Sequence, residues 1–202
     1  MPEQGLLVIF SGPSGSGKGT VLQSLLTGRT DLVVSVSATT RAPRPGEQEG
    51  VNYFFRTRQE FEQMIAQDQL LEYAEYSGNY YGTPASFIRS QREQGRHVLL
   101  EIEVQGALQV MRRCPDAVSI FLVPPSQEEL ERRLRGRGTE TEEAISLRME
   151  AARREIACMD HYQYVVVNRE VAAAAADVSS ILRAETMRFS RMKDIKEEFS
   201  VC

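Results

Sequence analysis

One glycine-rich run, Gly12-Pro13-Ser14-Gly15-Ser16-Gly17-Lys18, carries the clearest chemistry in the chain. Its pattern, G-x-x-x-x-G-K, lets successive backbone N–H groups turn inward around phosphate oxygens, and its lysine can reach the β and γ phosphates of a nucleotide. A helix starting at Lys18 would add its positive dipole end to the same anion. The strict motif places Ser or Thr directly after the lysine, where it ligates Mg2+. Here Gly19 fills that place and Thr20 follows, which makes Thr20 the candidate for the metal or its water.

Three further groupings could act on phosphate or a base. Arg41 and Arg44 stand three apart around Pro43, in a loop that the proline keeps extended, and suit a phosphate. Leu71 to Thr83 concentrates aromatic and hydroxyl side chains around one well-flanked carboxylate, Glu72. Each tyrosine taken singly reads first as a packing residue with a wet hydroxyl. Arg132 to Arg137 is an arginine run broken by Gly136, with Arg148 following. In isolation it would read as a solvated face balanced by the acids after it.

The elements needed to position these groups can be read from periodicity. Leu6 to Ser11 is a continuous apolar run before the glycines, and Val21, Leu22, Leu25 and Leu26 place a helix over Lys18 to Leu26. Further strands are expected at His97 to Val104, Ser119 to Val123 and Tyr164 to Val167. Helices are expected at Gln105 to Arg113, Ser126 to Leu134, Glu140 to Asp160, and Val171 through about Lys196. Strands alternating with helices imply a parallel sheet covered on both faces, an α/β chain. Ser35 to about Ser86 departs from this pattern, with short β-prone pieces such as Tyr53 to Arg56 and one helix at Gln59 to Asp68, and reads as an inserted substrate lobe. Arg133 to Thr141 suggests a second insertion, a lid hinged at Gly136 and Gly138.

Composition narrows the function further. The 202 residues are 42% hydrophobic and 26% charged, enough apolar material for one folded domain. A formal charge of -4 disfavours nonspecific nucleic-acid binding, which needs a basic face. No apolar stretch approaches the roughly 20 residues that a bilayer requires. The N-terminal stretch, with Glu3 and no basic region, does not read as a secretory signal, so a cytoplasmic protein with no membrane partner is expected. Cys114, Cys158 and Cys202 are widely spaced, as reduced thiols would be. His97 and His161 lack ligand or catalytic partners and read as structural.

Taken together and in collinear order, these segments resemble guanylate kinase, a P-loop enzyme family that phosphorylates GMP with ATP. The resemblance runs through Gly12 to Lys18, Ser37 to Arg44, Gly50 to Phe55, Glu72 to Thr83, Glu101 to Gly106, Pro124 to Thr141 and Asn168. It implies a three-layer P-loop sandwich with a central parallel sheet. The core would be 1–34, 87–125 and 152–202, the GMP-binding lobe 35–86 and the lid 126–151. It implies that Arg41, Arg44, Tyr53 and Tyr81 hold the GMP phosphate and that Ser37, Glu72, Thr83 and Glu103 read guanine. Gly12 to Thr20, Arg133 and Asn168 would bind ATP, and Lys18, Arg41, Arg137 and Arg148 would serve the transfer. Mg2+ would accompany ATP, with Thr20 as its ligand and Glu101 near its shell; for Glu101 a solvated strand end stays open. Both monomer and homodimer remain open.

Guanine chemistry agrees with this assignment. Guanine offers N1–H and N2–H2 as adjacent donors that one carboxylate can accept, whereas adenine would face Glu72 with a lone pair at N1. Glu101 and Glu103, two apart on an expected strand, would share one face with Ile102 turned to the core. A noncatalytic guanylate kinase-like protein-binding module is the alternative, although Gly12, Gly17 and Lys18 are all retained. A P-loop kinase for another small acceptor is a third reading. GTPases would call for an N-K-x-D motif, which is absent from the sequence.

Overall fold

The computed structural model of the chain describes residues 4–76, 78–136 and 141–192. In chain order its elements are β1 (Leu7–Ser11), α1 (Lys18–Leu26), β2 (Leu32–Val34), β3 (Ala38–Thr39), β4 (Phe54–Phe55), α2 (Arg58–Ala66), β5 (Leu70–Tyr76) and β6 (Asn79–Pro84). There follow α3 (Ala85–Glu93), β7 (His97–Glu101), α4 (Val104–Arg113), β8 (Val118–Val123), α5 (Gln127–Arg135), α6 (Glu142–Ile156), β9 (Tyr164–Val167) and α7 (Val171–Thr186).

Five strands form one parallel sheet in the order β2-β7-β1-β8-β9. The central strand β1 is buried along its whole length, which is why its sequence is apolar without alternation. Its side chains still divide by parity. Val8 and Phe10 join Leu22 and Leu25 of α1 and Val178 and Leu182 of α7 on one face. Leu7 and Ile9 join Ile88 of α3 and Ala107 and Val110 of α4 on the other. Helices on both faces of a parallel sheet make the expected three-layer sandwich.

A second sheet, β4-β3-β6-β5, is built from residues 38 to 84. Its small core is Ala38, Phe61 and Leu70, and the Phe61 ring stacks on Tyr80 with centroids 5.2 Å apart. Helix α2 is fixed at its start by a reciprocal cap. The Thr57 hydroxyl accepts from the Glu60 amide at 3.2 Å, and the Glu60 carboxylate accepts from the Thr57 amide at 2.7 Å.

The expected strand at His97 to Val104 ends at Glu101, and α4 starts at Val104 with Glu103 as its extended N-cap. The alternation through Glu101-Ile102-Glu103 therefore does not come from continued pleating. Ile102 still packs against the core, and both glutamates are exposed. Helix α7 stops at Thr186 rather than near Lys196, with Met187 as its cap. Residues 193 to 202 lie outside the described residues. Strand β2, helix α3 and the β5–β6 hairpin were not read from the sequence.

Candidate active site

The phosphate loop leaves the carboxyl end of β1 and enters α1 directly, the edge of an α/β sheet at which ligands bind. Gly12 takes φ +152°, and a Cβ there would come within 2.1 Å of the Leu122 carbonyl oxygen. Gly17 takes φ +92°, where a Cβ would meet the Asn168 Nδ2 at 2.5 Å. Neither place admits a side chain. Gly17 also caps α1 without any side-chain hydrogen bond, which leaves the first-turn amides of α1 available to an anion.

The loop's own backbone holds its lysine. Lys18 Nζ donates to the Gly12 carbonyl at 2.6 Å and the Pro13 carbonyl at 3.3 Å. Burial pushes its pKa down, and the carboxylates of Glu101, Glu155 and Glu103 oppose that shift. Glu101 and Glu103 thus lie close enough to act on Lys18 although the pleat does not continue between them. Although the residue as a whole is exposed, desolvation of the Glu101 carboxyl beside the loop pushes it above the usual carboxylate range, against the pull of Lys18.

Residues from the far half of the chain brace the same loop. Asn168, 2% exposed at the end of β9, donates from Nδ2 to the Ser16 carbonyl at 2.8 Å, and its Oδ1 is buried with no partner. Arg133 of α5 donates to the Ser16 carbonyl at 3.2 Å and the Asn168 carbonyl at 3.0 Å, and is itself held by Glu129 at 2.7 Å. Arg148 of α6 donates to the Ser14 hydroxyl at 2.5 Å. Thr20 is exposed on the first turn of α1. Arg137 lies outside the described residues.

The other half of the site belongs to the second sheet. Glu72 on β5 is 7% exposed, and its Oε1 accepts from the Thr83 hydroxyl at 2.7 Å. Burial raises its pKa, and the Thr83 hydrogen bond opposes this. Arg41 donates to both Glu47 oxygens at 2.8 and 3.0 Å and lies over the Tyr53 ring at 5.4 Å. Tyr53 meets Tyr81 edge-on, with centroids 6.1 Å apart. The Arg44 backbone amide donates to Glu47 at 2.7 Å and its side chain is exposed. Ser37 is half-buried, and its carbonyl accepts from Phe54.

Three residues at this site escaped the sequence reading. Glu47 gathers Arg41 and the Arg44 amide, which together hold its carboxyl below the usual range. Its signal was spacing, since Arg41, Arg44 and Glu47 recur every three residues across a turn. Glu155, late in α6, faces Lys18 and has an oxygen that is buried without a partner. In sequence it looks like one more acid on a charged helix. Gly106 lies against Glu72, a contact across sheet and helix that no local pattern carries.

The fold and the loop define a P-loop α/β protein with a second lobe that presents arginines and a buried carboxylate. The family model for guanylate kinase matches residues 4–185. A guanylate kinase of Streptococcus thermophilus is 56% identical over 194 residues, 95% of this chain and 92% of that protein. One of Streptococcus agalactiae is 56% identical over 193 residues, with the same coverage. The crystal structure of guanylate kinase from Anaplasma phagocytophilum superposes with a TM-score of 0.73 at 38% identity, covering 94% of this chain and 90% of that one. The chain belongs to the guanylate kinase family.

Proposed function

We propose that this protein transfers the γ-phosphoryl group of ATP to GMP, giving ADP and GDP. The observation that carries the reading is the joining of an intact phosphate loop to a buried Glu72–Thr83 pair through one short piece of chain. Glu101 and Glu103 flank Lys18, and α4, which Glu103 caps, packs on β5 beside Glu72. A triphosphate and the phosphate of an acceptor nucleotide, its base held by Glu72, would therefore be brought together near the carboxyl ends of β1 and β7.

The residues divide the work by chemistry. Guanine N1–H and N2–H2 donate to Glu72, whose other neighbour, the Thr83 hydroxyl, orients the carboxylate; Ser37 and Glu103 complete the base pocket. Arg41, Arg44, Tyr53 and Tyr81 bind the GMP phosphate, with Arg41 exchanging Glu47 for it. The loop amides from Gly12 to Thr20 hold the triphosphate, and Lys18 turns from the loop carbonyls to the transferring phosphoryl group. Arg133 and Asn168 support the ATP side by bracing the Ser16 carbonyl of the loop.

No general base is needed, because a phosphomonoester has its second pKa at about 6 and is already largely ionised at neutral pH. What the protein must supply is positive charge around the transferring group, from Lys18, Arg41, Arg148 and Arg137. Residues 35–86 act as the acceptor lobe and 126–151 as the lid, each moving over the core formed by 1–34, 87–125 and 152–202 to exclude water.

Among the described residues, no three His, Cys, Asp or Glu side chains are grouped to hold a metal. The oxygen donors at hand, the Thr20 hydroxyl and the Glu101 carboxylate, suit a hard cation such as Mg2+, which keeps phosphate oxygens and waters as most of its ligands. Thr20 and Glu101 would hold it or its waters. Held there, the ion would supply positive charge against the phosphates during transfer. Among the described residues no helix is long and apolar enough to cross a membrane, Cys114 and Cys158 are free thiols, and the substrates are soluble nucleotides. These features favour a cytoplasmic setting.

The test is a coupled assay with ATP as donor and GMP, AMP, CMP or UMP as acceptor. Activity with GMP far above the others is expected. Activity confined to AMP, or none with any acceptor, would reject the reading.

A further inference from the structure

Gly106 lies in the first turn of α4, fully surrounded, where a helix would ordinarily gain stability from alanine. A Cβ built at this position comes within 2.7 Å of Glu72 Oε2, 3.2 Å of its Cδ and 3.4 Å of its Cγ. The nearest obstacle is therefore the carboxylate itself, not backbone. Glu72 has little room to retreat, because it is 7% exposed and its Oε1 is fixed by the Thr83 hydroxyl at 2.7 Å.

From this packing we infer that Gly106 is a specificity-determining positioning residue, whose missing side chain sets how far the Glu72 carboxylate can withdraw from the base it reads. The inference rests on the assignment of Glu72 to guanine. Two neighbours fix the carboxylate: the Thr83 hydroxyl orients Oε1, and the bare α-carbon of Gly106 accommodates Oε2. The first turn of α4 also favours the charge, because its N-cap Glu103 makes no side-chain hydrogen bond and the positive end of the helix dipole lies beside Glu72. A methyl group at 106 would push Oε2 out of line with the N1–H and N2–H2 donors while leaving the phosphate loop untouched. Guanine binding should weaken and ATP binding should not.

The experiment pairs kinetics with a thermal cycle. In Gly106→Ala, KM for GMP should rise at least about tenfold, the loss of one hydrogen bond to a charged group, while KM for ATP stays within about twofold. Thermal midpoints are then compared for alanine at 106 in the wild-type and Glu72→Ala backgrounds. Alanine should lower the midpoint when Glu72 is present and raise it when Glu72 is truncated, a comparison that works even if Gly106→Ala alone folds poorly. An unchanged KM for GMP, or an equal loss of midpoint in both backgrounds, overturns the inference. Glu72→Gln serves as the control for the underlying assignment. If it loses the preference for GMP over AMP while Gly106→Ala is silent, the inference alone fails. If Glu72→Gln keeps that preference, the base assignment fails and the inference with it.

Discussion

Glu72 is costly to bury, since it carries a negative charge in the acceptor lobe where its donor among the described residues is a neutral one, the Thr83 hydroxyl. A ligand with two adjacent N–H donors would remove that cost, and a ligand without them would add to it. Glu72→Gln should therefore lower kcat/KM for GMP by about 10- to 100-fold with KM for ATP unchanged, the scale of one hydrogen bond to a charged group. The pH dependence has a definite sign. Burial raises the Glu72 pKa above 4.5, so protonation begins at a higher pH than for an ordinary glutamate and KM for GMP should climb as pH falls. The Gln variant should lack that limb and keep only the titration of the GMP phosphate itself, near 6. His97 is the opposite case. Its Nδ1 accepts the Leu6 amide at 3.0 Å, which requires a neutral ring, and burial pushes its pKa below the ordinary 6.5. The unfolded chain then takes up the proton first, so this contribution to stability is present above about 6.5 and is lost as pH falls through 6.5 toward the folded value. Urea titrations at pH 7.5 and 5.5 should show a larger loss for the wild type than for His97→Gln.

At the scale of elements, the phosphate loop is braced by residues that lie far from it in sequence. Arg133 and Asn168 both hold the Ser16 carbonyl, so α5 and the end of β9 fix the cradle from outside. Arg133→Ala should raise KM for ATP several-fold more than KM for GMP, as steady-state kinetics can check. The acceptor lobe depends on smaller devices. Thr57→Ala removes the reciprocal cap of α2 and should cost about 1 kcal/mol, seen as a fall of roughly 2–4 °C in thermal midpoint. The sequence disclosed those elements whose causes are local. Helix α1 was bounded correctly because Gly17 and the spacing from Val21 to Leu26 both act over a few residues. The β5–β6 hairpin does not stand out in the sequence, because Leu71 to Thr83 reads as a chemical cluster rather than a strand pair. Helix α3 has one fully buried apolar residue, Ile88, which gives no stripe to read. The sequence overextends β7 because Glu101-Ile102-Glu103 alternates as a strand would, although the chain there is already turning to cap α4. Most of the candidate site was legible as residue types, since loop, arginines and Glu72 all stand in compact motifs. The supports of the site were not, because Glu155 to Lys18 and Gly106 to Glu72 are contacts that only the fold creates.

In the whole molecule, two sheets meet one chemical problem from opposite sides. The parallel sheet presents the loop for a triphosphate, and the lobe presents a carboxylate and arginines for an acceptor. Arg41 is engaged with Glu47 and Lys18 with the loop carbonyls, so under the proposed function each cation would exchange its partner on binding nucleotide. Binding should therefore be visible separately in each half. GMP should slow amide hydrogen exchange mainly within residues 38–84, and an ATP analogue mainly around residues 12–20. Each nucleotide at about 100 times its Kd should add about 2.7 kcal/mol to stability. The most direct test of the account is a crystal structure with GMP and a nonhydrolysable ATP analogue bound together. The account predicts guanine N1 and N2 within hydrogen-bonding distance of the Glu72 carboxylate, and the γ-phosphate beside Lys18 facing the GMP phosphate. A guanine bound elsewhere, or Glu72 turned away from a base that is nonetheless present, would contradict it.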